Sequence, residues 1–179
     1  MPLQCAYDRL RTRSPMLAPG DPPVDPTALN FKRIVCGVDF SPMSVAAFLT
    51  AAELARSMNA ELHVLHVIET YPPAASWPRD AERRDVQSLE QKATSAMDAL
   101  VARSAVALDG VSVTTEVTVG LAFAELLNRA RDSTRDLIVV GAKGVKLLED
   151  ALFGGTAGQV VKGARCSVLV VRADQRTDG

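Results

Sequence analysis

Glycines, a lysine and a threonine follow the fourth apolar run of the chain, Leu137-Ile138-Val139-Val140. Gly141-Ala142-Lys143-Gly144 comes directly after that run, and Gly154-Gly155-Thr156 stands where the last helix is expected to begin. Glycines let a backbone approach a phosphate closely, and a helix N-terminus offers free amides and the positive end of a dipole. Lys143 can offset phosphate charge, and Thr156 can cap the helix or donate to a phosphate oxygen. The spacing indicates a phosphate site.

A second chemical candidate follows the first apolar run, where the sequence reads Asp39-Phe40-Ser41. The Asp39 carboxylate is placed to accept hydrogen bonds from ribose hydroxyls or to help hold a metal ion. The chain contains neither a Walker A loop nor the dinucleotide pattern G-x-G-x-x-G after the first strand. Strand-end glycines also occur without any ligand, so the pattern alone leaves nucleotide binding open.

Other reactive side chains are predicted to be structural. His63 and His66 are three residues apart on a predicted strand, so they point to opposite faces and cannot bind one metal ion together. The three cysteines Cys5, Cys36 and Cys166 show no C-x-x-C pairing. No serine–histidine–acid or cysteine–histidine arrangement follows a strand. We therefore expect no catalytic residue and no resident metal ion.

The elements that position these groups alternate between strand and helix. Short apolar runs typical of buried strands begin near Ile34, Leu62, Leu137 and Val168, and Val111 to Val119 alternates as expected for a strand nearer the sheet edge. Ser41-Pro42 predicts the capped start of the first helix, a long helix is expected from about Asp80 to Leu108, and two shorter helices follow. This order favours an α/β fold, an open doubly wound parallel sheet of five strands with helices on both faces. Ligands bind such sheets beyond the carboxyl ends of the strands.

Composition and charge limit the domain organisation and the classes of partner that the protein can have. Residues 1–30 hold six prolines and no hydrophobic period, which predicts a flexible arm before a domain at residues 31–173 and a tail at 174–179. The net charge of −1 argues against a nucleic-acid partner. No apolar run approaches the roughly 20 residues of a membrane span, and the start lacks a secretory apolar core. We expect a cytoplasmic protein with no membrane partner.

The sequence resembles the universal stress protein family over roughly residues 31–172. Gly141-x2-Gly144-x9-Gly154 matches the family's ATP-binding signature, and IVCGVDFSPMSVAAFLTAAELARSMNAELHVLHVIE is similar to its first βαβ unit. DLIVVGAKG and CSVLVVR resemble its fourth and fifth strands. The resemblance implies a Rossmann-like sheet in the order 3-2-1-4-5, a homodimer through the C-terminal strand, and ATP, with Mg²⁺ as a companion, between the first and fourth strands. In that order a strand separates Cys36 from Cys166, so we expect unlinked cysteines.

The resemblance also implies roles for individual residues. Asp39 matches the acidic residue that contacts the nucleoside, and Val67 falls near the position whose backbone contacts adenine. The residues expected to bind the nucleotide are Val38, Asp39, Val67, Gly141, Lys143, Gly144, Gly154, Gly155 and Thr156. The chain departs from the signature at Gly155, where the family has Ser or Thr, and at Ala122, where a proline is frequent.

The resemblance leaves three classes of function open, and Gly155 is the residue that bears on the choice between the first two. The first is an ATP-binding regulatory homodimer in the stress response, with a protein partner of unknown identity. The second is a nucleotide-free interaction or stress-protection module of the same fold. The third, a slow ATP hydrolase, is disfavoured because the sequence offers no candidate catalytic base. Gly155 lacks a hydroxyl that is typically worth about 0.5–1.5 kcal/mol as a hydrogen bond, which argues against tight ATP binding and leaves the first two classes open.

Overall fold

The computed structural model describes residues 30–69, 81–130, 135–142 and 155–172. The expected N-terminal arm up to residue 29, the C-terminal tail, Cys5, Lys143, Gly144 and Gly154 lie outside these ranges. Five strands and four helices occupy the described part of the chain. In chain order they are β1 (Arg33–Gly37), α1 (Pro42–Met58), β2 (Glu61–Ile68), α2 (Ala81–Arg103), β3 (Val113–Val119), α3 (Ala122–Arg129), β4 (Asp136–Gly141), α4 (Gly155–Gly163) and β5 (Ser167–Val171).

The five strands form one parallel sheet in the order β3-β2-β1-β4-β5, as the sequence predicted. β1 lies at the centre, with Ile34 paired to Leu62 of β2 on one side and to Leu137 of β4 on the other. These three residues are buried, because helices cover both faces of the sheet. The predicted fold class is confirmed.

Two hydrophobic layers hold the helices to the sheet. One face carries α1 and the middle of α2, with Phe48 and Met97 packed among strand residues such as Val64. The other carries α3 and α4, with Leu126 and Val160 packed around Ile138. The chain therefore crosses to opposite faces after β1 and after β4, which separates the two connections.

The start of α1 follows from local sequence. The Ser41 side chain accepts a hydrogen bond from the backbone amide of Ser44, and Pro42 occupies the first turn, where a missing N–H costs nothing. At the other end, Asn59 adopts a left-handed conformation with φ of 50° and closes the helix. The capping predicted from Ser41-Pro42 is confirmed.

The predicted extent of α2 was wrong at its C-terminal end. The helix ends at Arg103 rather than near Leu108, and β3 begins at Val113 rather than at Val111. Residues 104–110 continue in turns that close at Gly110, whose φ is +72°. The guanidinium of Arg56 donates to the Ala107 carbonyl at 2.8 Å and ties this segment to α1. Apolar residues keep a helical spacing through these turns, so a prediction from periodicity alone placed the end of the helix too late.

The described cysteines are unlinked, in line with the prediction. Cys36 is fully buried in β1, and burial raises the pKa of its thiol to about 12. Cys166 precedes β5, is likewise not part of a disulfide, and is separated from β1 by β4. Over the described ranges, no helix combines the length and apolarity that a bilayer crossing requires.

Candidate functional site

A cavity of about 760 Å³ opens at the carboxyl ends of β1, β2 and β4. α1, which follows β1, packs on one face of the sheet, and α4, which follows β4, packs on the other; the cavity lies beyond the strand ends between these helices. The volume falls within the range of small-molecule sites. Its described lining residues are Gly37, Val38, Asp39, Phe40, Ser44, Leu65, His66, Val67, Ile68, Glu69, Leu89, Lys92, Ala93, Ala96, Ala122, Leu126, Val140, Gly141, Gly155, Thr156 and Ala157.

The turn between β1 and α1 forms one wall and is held by its own hydrogen bonds. Oδ1 of Asp39 accepts from the backbone amide of Ser41 at 3.1 Å. The Ser44 hydroxyl accepts from the Asp39 amide at 3.2 Å and donates to the Ser41 carbonyl at 3.0 Å. Phe40, between these groups, has a φ of +61°, a left-handed conformation that is uncommon for a bulky side chain. The turn carries the Asp39 carboxylate to the cavity edge.

The end of β4 approaches the first turn of α1 closely. A Cβ at Gly141 would lie 2.9 Å from the backbone carbon of Met43 and 3.1 Å from the Ser44 amide nitrogen. A side chain at this position would therefore push α1 away from the sheet. The structure gives Gly141 a packing role at the cavity floor, whereas the sequence pattern had suggested only an approach to phosphate.

The N-terminus of α4 forms the opposite wall. The helix begins at Gly155, and Gly155, Thr156 and Ala157 line the cavity. The first amides of a helix have no intrahelical partner and can bind an anion together with the helix dipole. A Cβ added at Gly155 would meet no atom within 4 Å, so this position has room for a side chain.

The structure brings together six of the nine residues that the sequence singled out. Val38 and Asp39 follow β1, Val67 lies near the end of β2, Gly141 ends β4, and Gly155 and Thr156 begin α4. The other three, Lys143, Gly144 and Gly154, lie outside the described residues. Six residues from four separate segments thus surround one cavity.

The cavity also contains residues that the sequence argument passed over. His66, interpreted from sequence as structural, lines the cavity and donates from Nδ1 to the Val38 carbonyl at 2.8 Å. Glu69 lies beside it, and one of its carboxylate oxygens accepts from the Ala122 amide at 3.1 Å. Their position at the end of β2, next to the central strand, was the feature of the sequence that could have identified them as cavity residues.

Helix α2 covers the open side of the cavity. Leu89, Lys92, Ala93 and Ala96 lie on its cavity side. Leu89 is 45% exposed, because it lies beside the cavity rather than over the sheet. Lys92 is the only lysine or arginine among the described lining residues, which also include the carboxylates of Asp39 and Glu69.

An ion-pair cluster outside the cavity connects β2, β3 and α3. Arg129 binds Glu116 and also Glu125, the latter at 2.8 Å, while Nε2 of His63 lies 3.0 Å from Glu116. The hydrogen bond from Arg129 is the main reason that the pKa of Glu116 is below its ordinary value. Each of the four side chains has a partner within the cluster, so the cluster stabilises the packing of α3 against β2 and β3. No group of three or more potential metal ligands occurs among the described residues.

Comparison with known proteins gives a consistent set of matches. The model of the universal stress protein family matches residues 30–172. Universal stress protein MJ0531 of Methanocaldococcus jannaschii is 30% identical over 147 residues, covering 82% of this chain and 85% of that protein. Among solved structures, the universal stress protein UspA from Lactobacillus plantarum is 27% identical, with a TM-score of 0.68 and coverage of 80% and 99% of the two chains.

Two further structures of similar fold contain nucleotides. A universal stress protein in complex with cAMP is 21% identical, with a TM-score of 0.54 over 79% of this chain and 97% of the other. A universal stress protein from Archaeoglobus fulgidus in complex with dAMP is 19% identical, with a TM-score of 0.50 over 80% and 98%.

Proposed function

This chain belongs to the universal stress protein family, and we propose that it binds an adenine nucleotide, ATP in particular, in the cavity between β1 and β4. One observation carries the proposal. The cavity joins the Asp39 carboxylate at the end of β1 to the first backbone amides of α4. A nucleotide needs these two kinds of group, an acceptor for its sugar hydroxyls and donors for its phosphates.

Each part of the nucleotide has a candidate partner in this proposal. The ribose hydroxyls donate to Asp39, and adenine lies against the apolar wall near Val38 and Val67. The phosphates accept from the amides of Gly155 and Thr156, joined by Gly144, Gly154 and Lys143. The complexes of similar proteins with cAMP and dAMP support an adenine nucleotide as the ligand class.

We propose that Mg²⁺ arrives with the phosphates of ATP. Protein sites for this ion use one or two carboxylates together with phosphate oxygens and water. Asp39, the carboxylate of the β1–α1 turn at the cavity edge, would hold the ion as the alternative to its contact with the ribose. The ion would supply charge neutralisation for the phosphates, while the chain's own amides orient them.

We further propose that nucleotide occupancy of a homodimer, rather than turnover, is the output of the protein in the stress response. The Ser44 hydroxyl at the cavity wall already donates its proton to the Ser41 carbonyl, and a nucleophile engaged in that way is not activated. This argues against phosphoryl transfer to Ser44, and in our proposal hydrolysis of ATP by water is at most slow and incidental. The nucleotide-bound and nucleotide-free dimers would present different surfaces to a protein partner.

Gly155 favours a second candidate, a nucleotide-free module of the same fold. The family signature has Ser or Thr at this position, and the space around Gly155 is open. A serine there would add one charge-assisted hydrogen bond, worth up to about 1.4 kcal/mol or tenfold in affinity. If the chain has lost the ability to bind a nucleotide, the hydroxyl that Gly155→Ser adds will not restore ATP binding.

Calorimetric titration with ATP distinguishes the two candidates. We expect the wild type to bind, Gly155→Ser to bind up to about tenfold more tightly, and the purified protein to release adenine nucleotide detectable by mass spectrometry. Gly158→Ser is the matched control, because Gly158 lies in the same helix with open space around it but does not line the cavity. If neither the wild type nor Gly155→Ser binds at millimolar ATP, the nucleotide-free module is the correct function.

A further inference from the structure

His66 contacts the β1–α1 turn in two ways. Its Nδ1 atom lies 2.8 Å from the carbonyl oxygen of Val38, and its ring centroid lies 4.6 Å from that of Phe40 at an interplanar angle of 33°. A carbonyl only accepts hydrogen bonds, so Nδ1 carries the proton and the neutral ring is the Nδ1–H tautomer. His66 therefore holds the residues on both sides of Asp39.

The turn needs such support because Phe40 adopts a φ of +61°. A non-glycine residue in this conformation is strained and persists only where the surroundings impose it. The hydrogen bonds of Ser44 hold the turn from the side of α1, and His66 holds it from the side of β2. The Asp39 carboxylate lies between the two supports, with Oδ1 bound to the Ser41 amide.

His63 provides an internal comparison on the same strand. It lies three residues before His66, and its two ring nitrogens bind Thr114 and Glu116 of β3 at 2.8 and 3.0 Å. It does not line the cavity and does not touch the β1–α1 turn. Both histidines bridge β2 to another segment, but only His66 bridges it to the segment that carries Asp39.

We propose that His66 is a positioning residue, which fixes the left-handed turn at Phe40 and so places the Asp39 carboxylate before the ligand enters. This proposal rests on the proposed nucleotide binding and extends it to a residue that does not itself need to touch the ligand. Sites whose groups are already in place bind without the entropic cost of ordering them. Loss of His66 should then lower the affinity for the ligand through displacement of the turn that carries Asp39.

The test compares three variants by calorimetric titration with ATP. His66→Phe keeps a ring against Phe40 but removes the donor, and we expect about a tenfold loss of affinity. His66→Asn retains an N–H donor close to the position of Nδ1, so it should recover part of that loss. The matched control His63→Asn should bind ATP within twofold of the wild type. Wild-type affinity in His66→Phe would overturn the proposal, even if that variant is less stable to urea.

Nuclear magnetic resonance without any ligand separates failure of this proposal from failure of nucleotide binding. Nitrogen-15 shifts of the His66 ring should report the Nδ1–H tautomer in the wild type, and the backbone amides of Asp39 and Phe40 should shift in His66→Phe. An Nε2–H tautomer, or unchanged amides in the variant, would overturn the positioning role. If ATP fails to bind while the tautomer and the shifts are as expected, the proposed ligand is wrong and the positioning role of His66 stands.

Discussion

Gly141 illustrates how one residue at the site serves packing as well as ligand access. Its missing side chain lets the end of β4 approach the backbone of Met43 and Ser44 in the first turn of α1. That approach places the end of β4 beside the start of α1, which directly follows the turn that carries Asp39. The same glycine had suggested a phosphate loop from sequence, and both roles require a residue without Cβ.

We predict that Gly141→Ala lowers the free energy of unfolding by about 1–3 kcal/mol, because the new Cβ would lie 2.9 Å from backbone that cannot move without shifting α1. Urea denaturation measures the change. Gly155→Ala is the control, since a Cβ at Gly155 meets no atom within 4 Å, and its midpoint should stay close to that of the wild type. Equal midpoints for the wild type and Gly141→Ala would contradict the packing role.

The ion-pair cluster around Glu116 predicts a pH-dependent contribution to stability. Arg129 lowers the pKa of Glu116 in the folded protein, with a smaller effect from His63. A carboxyl with a depressed folded pKa stabilises the fold above its unfolded value, 4.5, and loses that contribution as the pH falls through the folded value. The glutamate is 31% exposed, so we expect at most about 1 kcal/mol.

Glu116→Gln should therefore lose less stability than the wild type when the pH falls from 6 to 3. The difference of about 0.5–1 kcal/mol can be measured by urea unfolding at each pH. Glu53→Gln, on the exposed face of α1, controls for removal of a surface carboxylate. Parallel stability curves for the wild type and Glu116→Gln would show that the cluster contributes nothing through Glu116.

At the scale of elements, the sequence predicted the features that depend on neighbouring residues in the chain. It missed the features that depend on contacts between distant segments. Four apolar runs, an alternating stretch at β3 and the Ser41-Pro42 cap are local signals, and they predicted the strands, their alternation with helices and the start of α1. The end of α2 depends on turns beyond Arg103 and a tie from Arg56 to Ala107, which no periodicity records. His66 and Lys92 reach the cavity only because β2 ends there and α2 lies over it.

Helix α2 supplies a cation to the cavity, and this leads to a prediction about phosphate charge. Lys92→Glu should weaken ATP binding roughly threefold to tenfold at low salt, and less at high salt, because the exposed side chain acts through a screened field. AMP, with fewer charges, should be affected less. Calorimetric titration with both nucleotides at two salt concentrations measures the effect.

Lys32→Glu is the matched control for that experiment. It makes the same charge change at an exposed residue just before β1, at the end of the sheet opposite the cavity. ATP affinity should be nearly unchanged. If Lys32→Glu weakens ATP as much as Lys92→Glu does, overall charge rather than the position of Lys92 is responsible.

At the scale of the whole molecule, the site is a consequence of topology. The central strand β1 has β2 on one side and β4 on the other, and the chain leaves β1 and β4 towards opposite faces. Only at that point does a parallel sheet leave a crevice beyond its strands. The carboxylate, the left-handed turn and the helix N-terminus converge there because each follows or precedes one of those strands.

The same topology leaves β5 at one edge of the sheet and β3 at the other, and the proposed homodimer would cover β5. The Val171 carbonyl accepts from the Ala142 amide, so Val171 faces β4 and the preceding Val170 turns its backbone groups to the open edge. An apolar strand edge with free backbone groups invites pairing with another chain. Val170→Pro would remove an outward N–H without removing a hydrogen bond of the sheet itself.

We therefore expect the wild type to sediment as a dimer at micromolar concentration and Val170→Pro to sediment mainly as a monomer that keeps its circular dichroism spectrum. Thr115→Pro is the control on the opposite edge. The Ser112 carbonyl accepts from Leu62, which turns the Thr115 backbone away from β2 towards solvent. This variant should remain dimeric, because the proposed interface does not use β3. A monomeric wild type would refute the dimer, and loss of the dimer in Thr115→Pro alone would place the interface on β3.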